Sequence, residues 1–121
     1  MPALTTARRR HGSIDEAEVE HDQTIHEWQH LGNRGAIASQ LEAFAFVALA
    51  RRNGVRAARL LGAAEALREL AESPILAFER PEYEVQVGHL REELDEGAFT
   101  WAWAEGREMN ADDAVAFALS G

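Results

Sequence analysis

The chain has 121 residues, 46% of them hydrophobic and 27% charged, and no cysteine. That is the balance of one folded domain with a modest core, and it excludes a disulfide-stapled scaffold and any cysteine-ligated metal. Net charge is -9, from 21 acids against 12 bases, and every base is an arginine.

The absence of lysine excludes a Schiff-base lysine and a P-loop lysine. An acidic chain is not expected to bind nucleic acid directly, because phosphate contacts need a basic surface. No apolar run approaches the roughly 20 residues of a membrane span, so a cytoplasmic protein without a membrane partner is expected.

Residues 1–12 hold Pro2 and the run Arg8, Arg9, Arg10, with no apolar periodicity. They read as a flexible N-terminal tail, and residues 13–121 as a single helical domain. No apolar stretch follows the arginines, so they are not an export signal.

A first helix is predicted over 13–31. Ser13 and Glu16 fit a capping box, and the apolar face is thin: Ile14, Val19, Ile25, Trp28 and Leu31. Gly32 and Asn33 end it. A second helix is predicted over 34–52, with Ile37, Leu41, Phe44, Ala45 and Ala48 at helical spacing. Phe46, Leu49 and Ala50 lie on its other side, so it reads as the buried central helix. Asn53 and Gly54 predict a tight turn through positive φ. A third helix over 55–72, carrying Leu60, Leu61, Ala64, Leu67 and Ala71, then completes an antiparallel hairpin.

Pro74 and Pro81 bracket a linker whose Ile75, Leu76 and Phe78 are expected to pack back on the core. A fourth helix is predicted over 81–95, buried through Tyr83, Val87, Leu90 and Leu94. A fifth, over 97–108, sets Phe99 and Trp103 one turn apart and turns Trp101 outward. Asn110 caps a last helix that buries Ala114, Val115, Phe117, Ala118 and Leu119. Valine and isoleucine never alternate over a strand's length. The fold class is all-α, antiparallel hairpins in about six helices.

Residues 41–67 resemble a tetratricopeptide repeat: large Leu41 and Phe44, small Ala45 and Ala57, large Leu61, small Ala64. Small residues let the paired helices approach, and large ones fill the grooves beside them. The string Leu31-Gly32-Asn33-Arg34 and the string from Arg56 to Arg68 extend the likeness. So do Phe99, Trp103-Ala104-Glu105-Gly106-Arg107 and the segment from Ala114 to Leu119. Together they resemble the C-terminal helical region of bacterial LuxR-type transcriptional regulators and related predicted ATPases. The resemblance covers about 31–119 and implies a superhelical scaffold that binds protein partners or relays an inducer signal. The nucleotide-binding and helix-turn-helix neighbours of that region are not expected in this chain, which has no G-x-x-x-x-G-K-[ST].

One motif points to other chemistry. His26-Glu27-Trp28-Gln29-His30 is an H-E-x-x-H, which on a helix puts two zinc ligands on one face with a general base beside them. The longer metalloprotease pattern needs glycine at 33 and histidine at 36, where Asn33 and Ala36 stand. Glu42, Glu65 and Glu69 are the candidates for a third ligand. His11, His21 and His89 are isolated, and Ser39, Ser73 and Ser120 lack a nucleophile-elbow context. Paired acids such as Glu92-Glu93 and Asp112-Asp113 read as solvated helix surface and capping.

The leading expectation is therefore a non-enzymatic helical interaction module linked to transcriptional regulation. It has no catalytic, cofactor or metal residues and no cofactor. Its partner is another protein, and a homodimer is expected because the second helix is apolar on both sides, through Phe44 and Phe46. The alternative is a small zinc-dependent hydrolase using His26, Glu27 and His30. A small-ligand sensor with a pocket between helices is a third reading.

Overall fold

Short polar side chains set the helix starts. Asn33 accepts a hydrogen bond from the Ala36 N–H (3.0 Å), Asn53 from Arg56 (3.3 Å), Asp95 from Ala98 (2.8 Å) and Asn110 from Asp113 (2.8 Å). Each satisfies a first-turn amide that the helix itself leaves without a partner. In the computed structural model, which describes Thr24, Ile25, Glu27 and residues 31–120, five helices follow. They are α1 (Arg34–Ala50), α2 (Gly54–Ala71), α3 (Arg80–Glu93), α4 (Glu96–Arg107) and α5 (Ala111–Leu119). The described residues contain no strand, so the chain is all-α, and each helix starts and ends within two residues of its predicted range. Of the first predicted helix only Thr24, Ile25, Glu27 and Leu31 are described, all helical. The rest of it, the 1–12 segment, His11 and His21 lie outside the described residues.

The turn between α1 and α2 is not the one expected. Arg52, not Gly54, takes the left-handed backbone, with φ of 63°. Gly54 is already helical and buried, and a Cβ there would meet the Leu94 side chain at 3.0 Å. That glycine serves packing between α2 and the end of α3 instead of turn geometry.

The hairpin of α1 and α2 is the centre of the core. Ile37, Leu41, Phe44, Ala45 and Ala48 share one buried cluster with Ala57, Leu60, Leu61, Ala64 and Leu67. The hub, however, is α2, which touches each of the other four helices. Its small residues explain this. Gly62 lies so close to α4 that a Cβ would fall on the Trp103 carbonyl, and Gly106 of α4 would likewise collide with the Arg59 carbonyl. Glycine on both partners lets the two backbones meet directly.

Other expectations are corrected by packing. Of the linker's apolar residues only Ile75 is half-buried; Leu76 and Phe78 are exposed. The Leu76 carbonyl accepts from the Glu79 and Arg80 N–H groups, and this turn faces both side chains outward. On α3 only Leu90 is fully buried, while Tyr83 and Val87 sit half-buried at its edge. On α5, Ala114, Val115 and Ala118 are buried, and Phe117 and Leu119 half-buried. Phe44 is buried and Phe46 half-buried within one chain. No helix among the described residues is long and apolar enough to cross a membrane.

Candidate functional site

A glutamate inside an apolar helix run needs a cation opposite it. Glu42, between Leu41 and Phe44 on α1, is buried, and Arg68 in the last turn of α2 supplies the cation. Arg68 Nε donates to Glu42 Oε2 (2.7 Å) and Nη2 to Oε1 (2.8 Å), a bidentate pair. Nη2 also donates to Ser39 Oγ (3.0 Å) and Nη1 to the Ser73 carbonyl (3.0 Å). The hydrogen bonds to Glu42 hold the guanidinium above its ordinary pKa, against the opposing effect of burial. One arginine thus joins α1, α2 and the start of the linker.

A second network locks α4 onto α2. Arg107 Nη1 donates to Glu65 Oε1 (2.6 Å), and Nη2 to Glu69 Oε1 (2.7 Å). Trp103 Nε1 donates to the same Glu65 oxygen (3.0 Å). The hydrogen bond from Arg107 holds the Glu69 carboxyl below its usual range, and Glu69 in turn raises Arg107. Nearby, Arg59 pairs with Glu105 and stacks on Trp101, its guanidinium carbon 4.9 Å from the ring centroid. Trp101 faces outward as expected, 55% exposed, while Phe99 and Trp103 stand 5.2 Å apart on the inner side.

Between these networks lie two clefts that share Glu65 and Tyr83. One, of about 450 Å³, is bounded by Glu42, Arg68, Glu69, Ile75 and Arg80. The other, of about 440 Å³, is bounded by Val87, Arg91, Phe99, Trp103 and Arg107. Each has the volume and the mixed aromatic and polar lining of a binding site. Tyr83 divides them. Burial, and then the negative charges of Glu42 and Glu65, push its hydroxyl up to about 12, so it stays protonated at neutral pH.

These facts bear on the zinc motif. His26, Trp28, Gln29 and His30 lie outside the described residues, and Glu27 is exposed. The three candidate third ligands are all engaged by arginine, Glu42 by Arg68 and Glu65 and Glu69 by Arg107. No group of three or more His, Asp or Glu able to hold a metal occurs among the described residues. Ser39 accepts from Arg68, Ser120 donates to the Phe117 carbonyl, and His89 is exposed.

The sequence reading missed Arg68, Tyr83 and Arg107 as site residues. A signal existed for the first: Glu42 interrupts a buried stripe and calls for a partner. For Tyr83 and Arg107 no local signal marks the residue, because their neighbours come from other helices.

No protein-family model and no solved structure matches the chain. Among curated proteins, two from Mycobacterium tuberculosis and one from Mycobacterium bovis are each 40% identical to it over 63 residues. All three are provisionally named HTH-type transcriptional regulators. The match spans 52% of this chain and 7% of each relative. The chain is thus similar to a short part of much longer proteins whose names denote regulation of transcription, not an enzymatic activity. This corrects the expectation of no direct nucleic-acid binding. That expectation rested on net charge, and it is overturned by the similarity to proteins named HTH-type transcriptional regulators.

Proposed function

We propose that the chain is a non-enzymatic helical module that binds a protein partner and relays a signal in transcriptional regulation. In this reading 13–121 form one domain. The hairpin of α1 and α2 is a tetratricopeptide-like unit, as in the helical region of LuxR-type regulators that the sequence resembles. The observation that carries the proposal is the 40% identity over 63 residues with HTH-type regulators. The packing supports it: α2 is held to α1 by the Glu42–Arg68 pair and to α4 by backbone-close glycines and the half-exposed Glu65–Arg107 pair, so a displacement of one helix is felt by its neighbours.

The test is a chimera. The matching segment of the Mycobacterium tuberculosis relative is replaced by this chain, in cells lacking the intact regulator, and transcript profiles are compared. The expected result is the profile of the intact regulator. A stable chimera that leaves the profile of the deletion strain overturns the proposal.

A further inference from the structure

A helix that buries little of itself leaves space beside it. α3 buries only Leu90 fully, and the 440 Å³ cleft opens between it, α4 and Glu65 of α2. Two helical faces make its walls. Tyr83, Val87 and Arg91 recur every fourth residue and form one stripe of α3, about 12 Å long. Thr100, Trp103 and Arg107, three or four residues apart, form the facing stripe of α4. The contacts fix which residues share an end. The Arg91 guanidinium carbon lies over the Phe99 ring, 4.3 Å from its centroid, at the end nearest the turn between α3 and α4. At the other end Trp103 and Arg107 bond Glu65, whose charge Tyr83 feels.

Polar groups at both ends are left open among the described residues. Arg91 pairs with no described carboxylate and rests on the Phe99 ring, which holds the guanidinium in place. Glu65 Oε1 takes both Trp103 Nε1 and Arg107 Nη1, and Oε2 takes no described donor. The Tyr83 hydroxyl, protonated at neutral pH, likewise has no described hydrogen-bond partner. Between the two ends the lining is Val87 and the rings of Tyr83 and Trp103, a surface for a flat apolar body.

We propose that this cleft binds a small hydroxyaryl carboxylate. The carboxylate meets Arg91, the ring lies against Val87 and Trp103, and the hydroxyl donates to Glu65 Oε2 beside the Tyr83 hydroxyl. This orientation follows from charge. At the Arg91 end a carboxylate takes a charge-assisted bond from a guanidinium already in place, whereas at the other end it would face Glu65. An ammonium in place of the hydroxyl is disfavoured, because Arg107 already stands on Glu65. The proposal adds a ligand to the module reading and does not depend on it.

The probe is 3-(4-hydroxyphenyl)propionate, titrated into the full chain by calorimetry and by nitrogen–proton correlation spectra. Its amide and tyramine serve as neutral and cationic counterparts. Binding of one molecule per chain is expected, with Kd below about 1 mM, as suits a ligand of this size. It should move the Trp103 indole N–H signal, and both counterparts should bind about tenfold or more weakly. Arg91→Gln should weaken the carboxylate about tenfold and bring it level with the amide. Arg91 is exposed, so that variant should melt like the parent. Arg34→Gln, an exposed arginine outside the cleft, should leave affinity within about twofold. The proposal is overturned by absent saturable binding, by an amide that binds as well as the acid, or by equal weakening in Arg34→Gln. A failed chimera with intact ligand binding overturns the regulatory reading alone; absent binding with a working chimera overturns the ligand site alone.

Discussion

Arg52 carries a left-handed backbone, φ 63°, at an exposed position between α1 and α2. A Cβ in that conformation costs about 1–2 kcal/mol, and glycine's larger unfolded-state freedom offsets part of the relief. Arg52→Gly should therefore raise stability by about 0.5–1 kcal/mol in urea unfolding. Tyr83 gives the residue scale a pH signature. Its hydroxyl rises from 10 to about 12 on folding. Above pH 10 the unfolded chain loses that proton while the folded chain keeps it, so stability falls as pH rises toward 12. Below pH 10 both states hold the proton and the residue contributes no slope. Discounted for the exposed part of the ring, the loss is about 1–2 kcal/mol. Urea melts on either side of this window should show it in the parent, and Tyr83→Phe should lack it.

At the scale of elements, the crossing of α2 and α4 separates two uses of glycine. Gly106 and Gly62 each abut a backbone carbonyl of the facing helix. Gly106→Ala must push the helices apart and should cost roughly 3 kcal/mol, the upper part of the overpacking range. Gly88, within α3, has nothing within 4 Å of a built Cβ. There the same substitution only improves helix propensity, and Gly88→Ala should stabilise by about 0.8–1 kcal/mol. Thermal melts of the pair give opposite signs. If both variants melt lower, α3 packs more tightly than its single fully buried residue, Leu90, indicates.

For the whole molecule, the distribution of arginine decides more than the net charge. Arg56 caps α5 by donating to the Phe117 and Ala118 carbonyls, at 3.1 and 2.7 Å, and stacks on the Phe117 ring. Arg59, Arg68 and Arg107 each pair with a glutamate on another helix. Two of these contacts engage Glu42 and Glu65, two of the three glutamates that the sequence offers as a third zinc ligand. Elemental analysis of protein purified without added metal should find well below one zinc per chain, since a stable site needs three or four ligands. A full equivalent of zinc, lost in His26→Ala, would favour the hydrolase reading over the module.

Much was legible before folding was considered. Helix positions followed from the apolar period, from the breaks at Gly32-Asn33 and Asn53-Gly54 and from the Asn110 cap; the structure adds Asn33, Asn53 and Asp95 as caps, each acting on an amide three residues away. The buried stripe of α1 and the outward Trp101 followed from the same periodicity. The other features depend on distant residues. Gly54 reads as a turn glycine until Leu94 is seen against it. Phe78 reads as core until the turn at Leu76 faces it outward. Local hydrogen bonding and apolar period, which act within a few residues, were determined by the sequence on its own. The hub role of α2, the pairing of Glu42 with Arg68 and the clefts beside Tyr83 were decided only by tertiary structure, because each needs groups that the chain separates by many residues and packing alone brings within hydrogen-bond distance.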